Sequence, residues 1–569
     1  MASFNALDSV WSTRTACLLG VVSLLLSACQ PKSPEDTGVS APSASASAPS
    51  ASSTPTVVSS KSAVAVSEKA TPAPVYPLVA DDESVAYSPN LWGANNNYLF
   101  LPYAPESPVY PEVAGPLQFR VLRFPGGSSA NAYRWESGGY DNWFFNERIV
   151  PALASFPPER QADVAQNQNI LTVEDCASVM DGLGTEPIVV FNVLHPPQET
   201  RRFAQALKDE GIDLKYAELG NELYYAGYEK WTGKPEAFMP KLRAHAEAVR
   251  SVFPEVCIAV PVGGNHHGYA TVAGAVDEQL DDKTRANLER AEAWNAALAA
   301  DSFFDAVIVH HYAGYRIPEV VDKGAAEMDG NDTDFQYDAL FYEAEDSPAW
   351  LTERFARQFP GKKLLLTEWG VLHKVEPWFQ NWAHGLFVAD FLLNLAAQGE
   401  VWDLSCYHIL TGRRFELFYP VRTADKSWTG ELARTIPYFV MEELGAALTA
   451  HDHIQKLTVA GLEMAGRGDY RYSPVAAWLL SGGEANGQEL LAVNLSDRPV
   501  TVSLRDLGLD VAAGQGTALS CPELAASLGA AHRPEPGTAT ADIPKRNELH
   551  QSGAEVILPA YSLISLNFP

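Results

Sequence analysis

Between about residues 91 and 448 the chain alternates short apolar runs with longer stretches in which apolar residues recur at helical spacing. The runs are Leu91–Ala94, Phe119–Phe124, Pro187–Asn192, Tyr216–Leu219, Val256–Val262, Phe304–His311, Lys362–Val371 and Val401–Tyr407. They are too short and too continuously apolar for surface helices, and read as strands buried on both faces. Helical periodicity falls on Val173–Leu183, Thr200–Asp209, Phe238–Val252, Glu289–Ala300, the stretch within Trp378–Gln398, and Ile436–Leu448. Thr172, followed by Glu174 and Asp175, supplies a helix start before Val173. Strand–helix alternation predicts a parallel sheet, and eight such units predict a closed (β/α)8 TIM barrel over residues 75–448.

The pattern changes from about Thr449. Runs such as Leu490–Leu495, Val500–Leu504 and Ser562–Phe568 are separated by Gly, Asn, Asp and Pro, which predicts a C-terminal β-sandwich over 449–569. Val75–Val85 is expected to lend a strand to that domain before the barrel begins. Upstream, residues 30–74 are rich in Ser, Ala and Pro and nearly free of aromatics. They cannot bury enough apolar area to offset chain entropy and read, from position 29, as a disordered tether. At flexible-coil statistics its reach is roughly 35–40 Å. Residues 1–28 carry Arg14 ahead of the apolar run Ala16–Leu26, too short to span a bilayer and suited to an export signal.

Composition narrows the partners. The 569-residue chain has a formal net charge of −29, which argues against nucleic acid and anionic membrane surfaces. None of the six cysteines forms a CxxC pair, so zinc ribbons and thioredoxin-like chemistry are not expected. The spacing of Cys176, Cys257, Cys406 and Cys521 leaves their pairing open. The histidine pair His266-His267 lacks any accompanying HExxH, and no metal or cofactor is expected.

Candidate chemistry sits at two strand ends. Tyr216–Leu219 runs into Gly220-Asn221-Glu222, and Lys362–Val371 contains Thr367-Glu368-Trp369-Gly370. Carboxylates just past parallel barrel strands stand where barrel enzymes keep their chemistry. Two of them can cleave an acetal, one protonating the leaving group while the other stabilises an oxocarbenium-like centre. Asn221 is placed to bind the hydroxyl beside the anomeric carbon, and Trp369 to form a floor beneath the sugar. Asn192 and His195 top the third strand as substrate-binding candidates. Adjacent residues on a strand face opposite ways, so one of His310 and His311 points down the barrel; His311 is placed in the substrate site. The aromatics of Trp135–Phe156 suit either a sugar-stacking wall or loop self-packing. Gly314–Asp346 reads as a long acidic insertion at the site's rim.

These motifs resemble the retaining glycoside hydrolases of clan A. The spelling Leu219-Gly220-Asn221-Glu222, with Val309-His310-His311-Tyr312, is similar to family 79, the heparanases and β-glucuronidases. Leu122-Arg123-Phe124-Pro125-Gly126-Gly127 with Tyr133-Arg134-Trp135-Glu136 is similar to family 51 arabinofuranosidases, and Glu368-Trp369 to family 39. The resemblance implies that Glu222 is the acid/base and Glu368 the nucleophile on a carbohydrate substrate, with no cofactor. It further implies that Arg123 holds the nucleophile and Tyr312 hydrogen-bonds it. Uronides, arabinofuranosides, xylosides and galactans all fit. Leu26-Ser27-Ala28-Cys29 resembles the bacterial lipobox. That implies a lipoprotein anchored through Cys29 in the cell envelope; Gln30, in place of Asp, implies the outer membrane. The rival reading is a glycan-binding surface lipoprotein that keeps the barrel without its catalysis.

Overall fold

The computed structural model describes residues 74–569 apart from 82, 96–108, 156–157, 264–281, 318–332, 372–377, 412–415, 423–427, 486, 511–513, 527–543 and 550. The expected export signal, Cys29, the expected tether and His266-His267 therefore lie outside the described residues.

Eight parallel strands close into a barrel. In chain order they are Gly93–Asn95, Val121–Phe124, Glu186–Phe191, Tyr216–Leu219, Cys257–Pro261, Ala306–Ala313, Lys363–Val371 and Trp402–Tyr407. Each pairs with its sequence neighbours, and the eighth closes on the first through Tyr407 and Ala94. Strand alternation sorts the side chains. Val121, Ile188, Tyr216, Ala259, Ile308, Leu365 and Leu404 fill the lumen, while Leu122, Val189, Ala217, Val307, Leu364 and Leu366 pack outward against the helices. Both faces are buried, so these strands are apolar without a break.

The helices lie close to their expected spans. Val173–Leu183 is capped by Thr172, whose side chain accepts from Asp175 N while Asp175 accepts from Thr172 N. Gly314–Asp346 differs from the expected insertion: Thr333–Gln358 is one long helix between the sixth and seventh strands. Its acidic composition hides a buried stripe containing Leu340, Ala344, Leu351 and Phe355 at i, i+4 and similar spacings.

The β-sandwich has one long sheet, 11-stranded when its continuation across the Val75–Ala80 strand is included. Val75–Pro77 runs parallel to Thr501–Ser503, whereas Leu78–Ala80 pairs antiparallel with Leu457–Val459, so one strand serves both layers. In Gln488–Asn494, Leu490 and Ala492 face the sandwich core while Leu491 and Val493 face the barrel's core. Cys176, Cys257, Cys406 and Cys521 are all free thiols.

Asp390 lies where the barrel meets the sandwich, on the helix Trp382–Ala396. It is buried and accepts from Asn394 Nδ2 at 2.8 Å, while Lys456 from the sandwich donates to Asn394 Oδ1 at 2.9 Å. Burial, reinforced by Glu345, pushes the Asp390 carboxyl up to about 8, with Lys456 and Asn394 opposing. A carboxyl raised above its unfolded value of about 3.9 binds its proton more tightly in the folded state. Its stabilising contribution is full below about pH 4 and is lost as pH rises through about 8. Asp390→Asn is therefore expected to raise Tm at pH 9 by several degrees and to leave it nearly unchanged at pH 4, in thermal melts across that range.

Candidate active site

The fourth strand ends at Leu219, and the chain then curls sharply. Gly220 has φ +78° and Glu222 φ +48°. A side chain on Gly220 would meet Leu223 Cδ1 at 2.6 Å and Val193 Cγ2 at 3.0 Å. Glu222 accepts a left-handed conformation that costs about 1–3 kcal/mol for a residue with a side chain. The turn is held by Asn131, whose Oδ1 accepts from Asn221 N at 2.8 Å and whose Nδ2 donates to Asn221 O at 2.6 Å.

Glu368 reaches the lumen through an irregularity. Val309 pairs with Leu366 but His310 pairs with Glu368, so Thr367 is an extra residue in the seventh strand. Strict alternation from Leu365 would point Thr367 and Trp369 inward and Glu368 outward. The bulge reverses that parity: Glu368 turns in and Trp369 turns out. Trp369 is 1% exposed, stacks on Phe391 at 5.0 Å and meets Tyr407 edge-on at 5.2 Å. It supports the barrel wall and is not a floor beneath a sugar.

The sixth strand needs a second correction. Ile308, His310 and Tyr312 alternate inward, so it is His310 that addresses the carboxylates. His311 faces outward, fully buried, with Nε2 3.2 Å from Glu343 and its ring stacked on Phe391. It has no place in a substrate site.

One oxygen each of Glu222 and Glu368 and a ring nitrogen of His310 lie within 4.8 Å of one another. Glu368 Oε1 accepts from Arg123 Nη1 at 2.5 Å and Oε2 accepts from Tyr312 Oη at 2.7 Å. His310 Nδ1 is 3.0 Å from Glu222 Oε1 and 3.6 Å from Glu368 Oε2, and Nε2 is 3.1 Å from Thr367 Oγ1. Tyr224 Oη donates to Glu222 Oε1 at 3.3 Å, and Asn221 Nδ2 lies 3.5 Å from Oε2. Three such donors could in principle close on a metal ion. Arg123 and Tyr312 already occupy both oxygens of Glu368, however, and a cation there would face a buried guanidinium.

Charges in the site follow from burial and neighbours. Burial alone would raise the Glu368 carboxyl, but His310, Arg123, His408 and the Tyr312 hydroxyl outweigh it and hold the group far below the usual carboxylate range. Burial would lower His310, yet Glu368 and Glu222 together push it above its ordinary value. His408, 4.0 Å from Glu368, is pulled down to about 4 by burial despite Glu368. Glu368 is thus a buried carboxylate held between Arg123 and His310, and Glu222 shares His310 with it.

Of the residues singled out in the sequence, Arg123, Asn221, Glu222, Tyr312 and Glu368 come together. Asn192 does not join them: its Nδ2 donates to Tyr133 O at 3.2 Å and its Oδ1 accepts from Leu194 N at 3.1 Å. His195 pairs with Asp141 at 2.9 Å. The aromatics after the second strand largely pack on one another and on the barrel, with Trp135 stacked on Phe203 at 6.1 Å and Tyr140 fully buried. His310, Glu218, Asn95 and Asn131 belong to the site without having been singled out for it. Strict alternation counted back from Tyr312 would have found His310; nothing local distinguishes the other three.

No protein-family model matches the chain, and no curated protein does. Among solved structures, the family 51 arabinofuranosidase of Xanthomonas axonopodis pv. citri matches with TM-score 0.62 at 15% identity, over 87% of this chain and 99% of that one. AbfB, a family 51 α-L-arabinofuranosidase of Bifidobacterium longum, gives 0.62 and 15% over 87% and 100%. CelM2, a bifunctional glucanase-xylanase from a metagenome library, gives 0.52 and 12% over 87% and 99%. The chain shares the fold of these structures. It joins the barrel to the β-sandwich as the family 51 structures do.

Proposed function

We propose that this chain is a retaining glycoside hydrolase in which Glu368 attacks the anomeric carbon and Glu222 serves as acid, then base. The observation that carries the reading is the pair of strand-end carboxylates with oxygens within 4.8 Å of each other. Retaining enzymes hold their carboxyls about 5–5.5 Å apart; inverting ones need about 6.5–9.5 Å to admit a water. In the first step Glu368 forms a bond to the anomeric carbon as the glycosidic C–O bond breaks, and Glu222 gives the departing oxygen its proton. In the second, water replaces Glu368 at that carbon and returns a proton to Glu222. Arg123 and Tyr312 keep Glu368 ionised and aimed, and Asn221 offers its amide to the neighbouring hydroxyl.

Arabinofuranosides head the panel of substrates, because the Xanthomonas and Bifidobacterium proteins are arabinofuranosidases; uronides, xylosides and galactans follow. NMR of the first-formed product is expected to show the substrate's own anomeric configuration. Inverted product would refute the double displacement. Binding of every glycan on the panel without hydrolysis would instead favour a glycan-binding lipoprotein. Export and acylation at Cys29, with anchoring in the outer membrane, belong to the same proposal. Cys29→Ala is expected to move the protein from the detergent-extracted membrane fraction to the soluble fraction, read by immunoblot.

A further inference from the structure

Arg123 is fully buried and spends all five of its N–H donors on five oxygens of four residues inside the lumen. Nε donates to Glu218 Oε2 at 2.8 Å, and Nη2 donates to Glu218 Oε1 at 2.6 Å and to Asn221 Oδ1 at 2.7 Å. Nη1 donates to Asn95 Oδ1 at 3.0 Å and to Glu368 Oε1 at 2.5 Å. Glu218 thus takes one whole edge of the guanidinium in a bidentate grip, and only a single hydrogen bond reaches Glu368. Glu218 is itself fully buried, and among the described residues its carboxylate bonds go to Arg123.

We propose that Glu218 is a positioning residue, which fixes the edge of Arg123 turned away from Glu368 and shares its charge so that the nucleophile is left free to attack. This rests on the reading of Glu368 as the nucleophile. The physical reason is a competition for one cation. A buried guanidinium facing a single carboxylate turns its fork onto both oxygens, the strongest arrangement open to it. Both oxygens of Glu368 would then be engaged by charge-assisted bonds, and the electron pair that must form the new C–O bond would be held back. With Glu218 in place, Arg123 and Glu218 cancel, and the remaining negative charge resides on Glu368. The same grip orients Asn221, whose Oδ1 is tied to Nη2, leaving its amide N–H groups toward Glu222 and the sugar.

The test uses the full chain and its best aryl glycoside. Glu218→Gln is expected to lower kcat about 10–100-fold with KM within about threefold, since the loss falls on a transition-state interaction. It is also expected to move both limbs of the kcat/KM profile to lower pH by at least about half a unit, because a negative charge has left the site. In an Arg123→Lys background, the further loss from Glu218→Gln shrinks to under about threefold, since Glu218 acts only through Arg123. A folded Glu218→Gln with wild-type kcat, an unmoved pH profile, or losses that simply multiply with Arg123→Lys would each overturn the proposal. If the Gln variant fails to fold, Glu218→Asp carries the test: it keeps the charge, so the limbs stay while kcat falls, and an unchanged kcat overturns the proposal. Should the wild type hydrolyse no glycoside, the hydrolase reading itself fails; a Glu218→Gln of wild-type activity beside a dead Glu368→Gln sinks only this inference.

Discussion

Glu368→Gln is expected to reduce glycoside hydrolysis at least about a thousandfold while leaving the fold intact, because it removes the covalent route and little else. Gln keeps one acceptor oxygen for Arg123 and sets an amide NH2 beside Tyr312, whose hydroxyl can turn from donor to acceptor. What disappears is the anion that burial opposes and His310 and Arg123 sustain. Glu222→Gln should differ in kind. Its cost should be large on substrates with poor leaving groups and small on dinitrophenyl glycosides, which depart without a proton. In Glu368→Ala, azide in the vacated space should attack the anomeric carbon from the same side and release a glycosyl azide of inverted configuration. Equal losses for both glutamates on every leaving group, with no azide product, would remove the division of roles between Glu368 and Glu222.

Arg123→Leu is expected to cost roughly 3–5 kcal/mol of stability at pH 7, together with nearly all activity. Breaking a buried ion pair by removing one partner leaves the other charge uncompensated. Here the cation serves two buried carboxylates, at side-chain exposures of 0% and 6%, and two amide oxygens. The pH dependence should change sign as well. In the wild type Glu368 is held below its unfolded value, so its contribution is present above about pH 4 and declines only in strong acid. Without Arg123 two buried carboxylates face the lumen with His310 as their remaining counter-charge, so at least one is pushed upward by burial, and its contribution is full below about pH 4 and lost as pH rises. The Tm of Arg123→Leu should therefore rise as pH falls from 7 to 5, whereas the wild type should show no such gain from this site. A variant as stable as the wild type at pH 7, or one with a parallel pH profile, would mean that the lumen tolerates the two charges without the guanidinium.

The architecture was legible in the sequence because both of its signals are local. Apolar runs buried on both faces alternate with helical stripes, and each of the eight runs fell within about two residues of a barrel strand at its ends. The carboxylates Glu222 and Glu368 were legible too, since strand ends at the mouth are where a barrel brings distant segments together. Facing directions were less so. A single extra residue at Thr367 reverses every side chain after it, turning Trp369 to the wall and Glu368 to the lumen, and no local residue preference announces it. His310 and His311 are the same side chain side by side; alternation from Tyr312 separates their faces, and the barrel supplies Glu343 to one and Glu222 to the other.

Glu218 belongs wholly to the tertiary structure. In sequence it is one more acidic residue in a strand. In the barrel it meets Arg123, from 95 positions earlier, because the second and fourth strands send these side chains into the same part of the lumen. What the chain determines by itself is the order and kind of its elements, which depend on residues a few positions apart. Which buried charge answers which depends on closing the barrel, since only closure brings strands two, four, six and seven to one axis and removes the water that would otherwise screen them.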